Sequence, residues 1–446
     1  MKTNNYKLKK CLLLLSLAGF GVQAQNVNHQ QIPLCRTSEA MTEFYQSHPE
    51  AQNEKAETEA FTQQYVQQVQ NSVQKIISAD ATQATTYTIP VVFHVYGTTQ
   101  GGYSVTLAKI QAALVNLNKD FQGLNSDYNT VHSQFQSVRG TLSITFALAL
   151  KDPSGATTTG MVTHAVKSGY GNGSGYDSQI AADAWDNYKY MNVYIMNDLY
   201  ANGVTNNSGV SWYPSTTMSN AKTARVVYNG AYLGTNTSTE FASVLTHEFG
   251  HWLNLIHTFE GGCVAPNDNV ADTPPCDYNG VGYSCHPTST SNSPLNCTSV
   301  LINAENYMDY SGADGCYKMY TQGQITRMTA ALQVPSRVTL WQTSNLIATG
   351  LLSNVGIATT TTNTLSASVF PNPSTGIFKL EMNSNEQDNY KIVVTDILGN
   401  IVSSMQTGAI KGYYSSTIDL TEKAQGLYFV SVISPSANQV MKLVKE

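Results

Sequence analysis

The stretch H-E-F-G-H-W-L-N-L-I-H, residues 247–257, constrains this chain more than any other. Read as a helix, it sets His247 and His251 one turn apart on one face with Glu248 beside them, so two imidazole nitrogens can grip one Zn²⁺. A hydrolytic zinc site needs a third protein ligand and keeps its fourth position open for water. His257 supplies that ligand only if the chain leaves the helix after His251; carried on as a helix, it would stand near the opposite face. Asn254 is the place to turn, because Asn tolerates the left-handed backbone that ends many helices, though less readily than Gly.

Some fifty residues on comes N-Y-M-D-Y-S, residues 306–311, where Met308 sits in a polar, turn-like setting. The pairing resembles the metzincin zinc peptidases, in which an elongated H-E-x-x-H-x-x-G-x-x-H motif is followed by a Met-turn. The usual Gly is Asn254 here. The flanks narrow the resemblance: H-E-F-G-H-W-L-N-L-I-H-T-F-E-G-G-C, D-N-V-A-D-T-P, E-N-Y-M-D-Y-S and C-Y-K-M-Y-T-Q-G-Q-I-T-R-M are similar to the pappalysin family, in particular its secreted cytophagalysin-like members. That resemblance implies an α/β (α+β) catalytic domain with a zinc-binding helix and a Met-turn. It also implies roles: His247, His251 and His257 as zinc ligands, Met308 as an apolar floor and not a ligand, and Tyr310 as the phenol that stabilises the tetrahedral oxyanion. The expected chemistry is hydrolysis of protein or peptide bonds, with Glu248 taking a proton from the attacking water and passing it to the leaving amine.

Composition suits an exported protein of several domains. At 446 residues the chain can bury more than one core, and 41% apolar content is ordinary. Only 12% of the residues are charged, about half the usual share of roughly 25%. A net charge of -6 with no Lys/Arg-rich run beyond the first ten residues gives no footprint for nucleic acid. Lys2, Lys7, Lys9 and Lys10 precede an apolar stretch from Cys11 to Val22, and Ala24 is the small residue a signal peptidase favours. Residues 1–24 therefore read as a signal peptide, and no later segment is apolar and long enough to cross a membrane.

Residues 25–85 are rich in Gln, Glu and Ala, with helical patterning from Glu39 to Ile77, and resemble a pappalysin-family propeptide. Thiolate is a good zinc ligand, so Cys35 is the expected latency switch of a zymogen, filling the open position. The catalytic domain is expected over 86–345, with strands at Tyr87–Tyr96, Leu142–Leu150, Tyr190–Met196 and Val210–Tyr213, a helix at Thr106–Phe121, and the zinc helix opening near Thr239. His94 falls inside a strand and reads as core; His132, His164 and His286 lack partners at ligand spacing.

After His257 the periodicity fades, yet Cys263, Cys276, Cys285, Cys297 and Cys316 follow, and an exported loop of this length needs disulfides. Spacing leaves the connectivity open. The family resemblance favours Cys263 with Cys297 and Cys285 with Cys316, leaving Cys276 over. Asp268, Asp272 and Thr273 are hard oxygen donors suited to Ca²⁺, which relatives use in this loop. Asp314, two residues before Cys316, stands where relatives that cut before Arg or Lys carry a pocket aspartate, which implies a preference for a basic residue after the scissile bond.

A linker is expected at 346–365, around a Thr-rich run. Beyond it V-F-P-N-P-S-T-G, V-T-D-I-L-G-N and G-L-Y-F-V-S-V, within 366–446, are similar to the C-terminal sorting domain of type IX secretion cargo. Alternating strands and Gly/Asn turns suit a small β-sandwich. The implied partner is the type IX secretion machinery, and the implied destination is outside a Gram-negative cell or attached to its outer surface.

Overall fold

Pro49 divides the helical N-terminal region in two, because its ring removes a backbone donor and blocks the preceding turn. In the computed structural model, which describes residues 35–73, 86–264, 267–277, 297, 301–310, 316–352, 365–396, 401–434 and 437–446, the halves are α1 (Thr37–Ser47) and α2 (Glu50–Val73). The single helical stretch expected from Glu39 is thus two helices, and its last residues lie outside the described ones.

The larger α/β region is built on β1 (Tyr87–Tyr96), a Val/Ile-rich strand buried along nearly its whole length. Burial on both faces is what parallel sheets impose, and it explains a continuous apolar run in place of alternation. Around it lie β2 (Ile144–Leu148), β3 (Met161–His164), β4 (Met191–Ile195), β5 (Gly209–Ser211) and β6 (Val226–Tyr228). The order is β2-β1-β4-β6-β5. One edge of β1 is shared in sequence: Tyr87–Val91 pairs with β2 and Phe93–Tyr96 with β3. All pairings are parallel except that of β5 with β6, so an antiparallel strand closes this edge of the sheet. Of the strands expected from patterning, β1 forms over the expected span, β2 and β4 are shorter at both ends, and β5 is shifted to start at Gly209 and end at Ser211. β3 and β6 were not anticipated, being too short to show a period.

Two apolar cores sandwich this sheet. On one side lie α3 (Leu107–Gln122) and α4 (Val244–Trp252), with Ile110, Leu114, Leu117, Phe121 and Phe249 against Phe93, Phe146 and Val193. Each such side chain, fully buried, stabilises the fold by about 1.5–3 kcal/mol. Thr106 caps α3 by accepting from Lys109 N, and Gly123, at φ 66°, ends it in the left-handed conformation. On the other side Tyr96, Tyr194, Trp212 and Val227 receive Ala40, Met41 and Phe44 from α1. Helix α2 packs along α5 (Gln322–Ala331), whose start carries a reciprocal Thr321/Gln324 capping box.

The C-terminal strands β7 (Leu365–Phe370), β8 (Ile377–Asp396), β9 (Ile401–Asp419), β10 (Gly426–Ile433) and β11 (Asn438–Lys445) form one antiparallel sheet. The long β8 pairs first with β7 and then with β10, and its register against β9 shifts between Ser384 and Asp388. Such irregularities increase local twist, and the sheet curls around a single core that includes Phe378, Leu380, Ile392, Val430 and Leu443.

Candidate active site

Helix α4 carries His247, Glu248 and His251, all buried. Asn254 takes φ 70°, and Leu255 N turns back to Gly250 O at 3.0 Å. The reversal brings His257 to the other two histidines. His251 Nε2 lies 3.0 Å from His247 Nε2 and 3.1 Å from His257 Nε2. Behind the rings, His247 Nδ1 meets Tyr307 O and His251 Nδ1 meets Leu255 O, both at 2.7 Å, while His257 Nδ1 lies 3.3 Å from Glu260 Oε2. All three Nδ1 atoms face acceptors, and the three Nε2 atoms face one another. A metal cation answers that arrangement. Burial holds His247 down to about 3 and His251 well below the usual histidine range, which keeps both rings neutral.

Two glycines make room. A Cβ at Gly250 would stand 2.5 Å from Met308 Sδ, so the wholly buried Met308 packs against the last turn of α4. A Cβ at Gly209 would stand 2.7 Å from Glu248 Cγ, so edge strand β5 gives the carboxylate its space. Glu248 is fully buried, its Oε1 has no hydrogen-bond partner among the described residues, and burial pushes its carboxyl up to about 8.

The N-terminal segment runs into this cleft. Ligand atoms of Cys35, His247, His251 and His257 all lie within 4.8 Å of one another. Cys35 Sγ also lies 3.6 Å from Glu248 Oε2, and burial followed by the Glu248 charge pushes the thiol up. Tyr310, itself buried, donates its phenol to Cys35 O at 2.6 Å. Thr37 Oγ1 accepts from Ser211 N of β5 at 3.0 Å, and Ser38 Oγ donates to Glu260 Oε2 at 2.8 Å.

The remaining expected residues divide. Asp268 accepts from Thr273 Oγ1 at 2.6 Å, whereas Asp272 accepts from Thr321 Oγ1 and Gly323 N at the start of α5. These carboxylates are therefore engaged with different partners. Cys263 is bonded to Cys297, and Cys316 is disulfide-bonded too. Cys276 is buried against Ile302 and Ala304. Asp314, Cys285 and His286 lie outside the described residues. Sequence reading missed Glu260, whose signal was its place three residues after His257, and Thr37 and Ser38, which had none beyond their nearness to Cys35. It also missed Asp120, which accepts from Ser243 and Thr246 at the head of α4.

Residues 174–333 match the model of the pregnancy-associated plasma protein-A peptidase family. This is a pappalysin-family domain. Residues 368–446 match the secretion system C-terminal sorting domain, which marks the chain as exported cargo. Among curated proteins, an extracellular metalloprotease of Sordaria macrospora is 36% identical over 151 residues, covering 32% of this chain and 48% of that protein. A counterpart from Neurospora crassa is 35% identical with the same coverage. The chain thus spans about half the length of these relatives. Mature mirolysin of Tannerella forsythia, solved with a cleaved peptide, is 26% identical at a TM-score of 0.49, covering 60% of this chain and 99% of that one. Promirolysin, in a mutant form, gives 25% identity and a TM-score of 0.48, covering 64% of this chain and 92% of that one.

Proposed function

We propose that this chain is a secreted zinc-dependent endopeptidase made as a latent precursor. One observation carries the reading: three imidazole Nε2 atoms converge beside the buried Glu248, and Cys35 Sγ closes the same cluster. His247, His251 and His257 would hold Zn²⁺, which when bound supplies Lewis-acid activation of water and of the substrate carbonyl. Glu248, kept in a dry pocket by β5, takes a proton from the attacking water and returns it to the leaving amine, a task suited to a carboxyl whose affinity for protons is raised toward neutrality. Tyr310, freed from Cys35 O, turns its phenol to the developing oxyanion. Met308 supports the rings from below.

In the precursor, Cys35 occupies the position that substrate and water need, so residues 25–85 act as propeptide and 86–345 as catalytic domain. Asp268, Asp272 and Thr273 are the proposed structural Ca²⁺ donors, and Asp314 the pocket residue that favours Arg or Lys after the scissile bond. Residues 366–446 address the chain to the type IX secretion machinery.

Metal content and casein cleavage test the reading together. Glu248→Ala should keep one zinc and lose activity by about 100- to 10,000-fold, while His257→Ala should lose both. Full zinc and activity in His257→Ala would sink the three-histidine site. Cys35→Ala should make the precursor active without processing, and unchanged latency would move the block to another residue.

A further inference from the structure

The three imidazoles are not held alike from behind. His247 and His251 aim Nδ1 at backbone carbonyls 2.7 Å away, which stay where the fold puts them. His257 aims Nδ1 at a side chain, Glu260 Oε2, over a longer 3.3 Å. That same oxygen accepts the Ser38 hydroxyl at 2.8 Å, and Ser38 lies in the first turn of α1. Glu260 N donates to His257 O at 3.0 Å, so a tight turn brings the carboxylate back to the ring it serves. Phe259 stacks on the His257 ring at 4.8 Å and 8°, fixing its plane and leaving its other nitrogen to Glu260. The Glu260 side chain is 38% exposed, so it can move as its partners change.

We propose that Glu260 is the positioning residue for His257, and that Ser38 competes with His257 for its carboxylate while the N-terminal segment is docked. The inference rests on the zinc reading above. A carboxylate accepting from Nδ1–H fixes the ring's tautomer and makes Nε2 a better donor to metal. An oxygen already engaged by a hydroxyl does this less well. Departure of the segment removes Ser38 and leaves Glu260 to His257 alone, so the hold on the third ligand tightens as the cleft opens. His247 and His251 keep the same carbonyl partners in both states.

The test uses the full-length chain loaded with zinc, or with cobalt for its visible spectrum, and follows metal loss to a competing chelator. Glu260→Ala should weaken retention by about 10- to 100-fold and alter the cobalt absorption. Glu260→Gln, which keeps an acceptor oxygen at the same reach, should recover most of the loss; general misfolding would not distinguish the two variants. Ser38→Ala should retain zinc several-fold better than the unmodified chain. Wild-type retention and spectrum in Glu260→Ala would overturn the positioning role, and an unchanged Ser38→Ala would overturn the competition. If the unmodified chain takes up no zinc, the zinc reading itself falls.

Discussion

Asn254 shows how one backbone angle assembles a site. At φ 70° it pays the steric penalty of the left-handed region, and its buried side-chain nitrogen has no hydrogen-bond partner among the described residues. Asn254→Gly should therefore raise the melting temperature, and Asn254→Val, which is worse in this region, should lower stability by about 1–2 kcal/mol and weaken zinc retention. A valine variant that melts with the wild type would contradict this. Asp120 gives a pH signature. Burial raises its carboxyl to about 6 from the ordinary 3.8, partly offset by the hydroxyls of Thr246 and Ser243. The folded state thus binds this proton more tightly than the unfolded chain does, and stability falls as pH rises through that range. The stability of wild type minus that of Asp120→Asn should fall by roughly 2 kcal/mol from about pH 4 to pH 6.5. Denaturant titrations across that window check it, and a flat difference would refute it.

At the scale of elements, α2 decides how firmly the N-terminal segment is docked. Glu59 forms a paired contact with Arg327, at 3.0 and 2.9 Å, and Arg327 is almost wholly buried while also reaching Asn254 O at 3.4 Å. Five residues earlier, Glu54 meets Ser215, Thr216 and Thr217. Glu59→Ala leaves a buried guanidinium without its counter-charge, at a cost of about 1–3 kcal/mol for a half-buried pair. The precursor should then be cut faster between α2 and β1 by added trypsin and should become active sooner; cleavage at the wild-type rate would count against α2 as an anchor. The elements themselves were unevenly legible. Thr106 and Gly123 announce both ends of α3, and Pro49 explains the break between α1 and α2. The edge strand β5 is only three residues long, and its place beside Glu248 depends on pairing with β6, which patterning did not reveal.

At the scale of the whole molecule, the curled C-terminal sheet has its own core, separate from the two that flank the six-stranded sheet. Removing 366–446 should therefore leave a folded enzyme that stays in the periplasm of a type IX-competent host. Export of the truncated chain to the medium would refute the sorting role. Cell fractionation with a zinc-content check on the retained protein distinguishes failed sorting from failed folding.

The sequence by itself determined that His247, Glu248 and His251 share one helix, that the chain turns at Asn254 to return His257 to them, and that Met308 sits in a nearby turn. Each is written within a helix turn or a short motif, where spacing translates directly into geometry. Tertiary structure alone decided what surrounds them. Cys35 reaches Glu248 across 213 residues of chain, Gly209 clears space for that carboxylate from another element, and Ser38 shares Glu260 with His257. No local period encodes such meetings, because they depend on how the sheet stacks its strands and on where α1 docks across it.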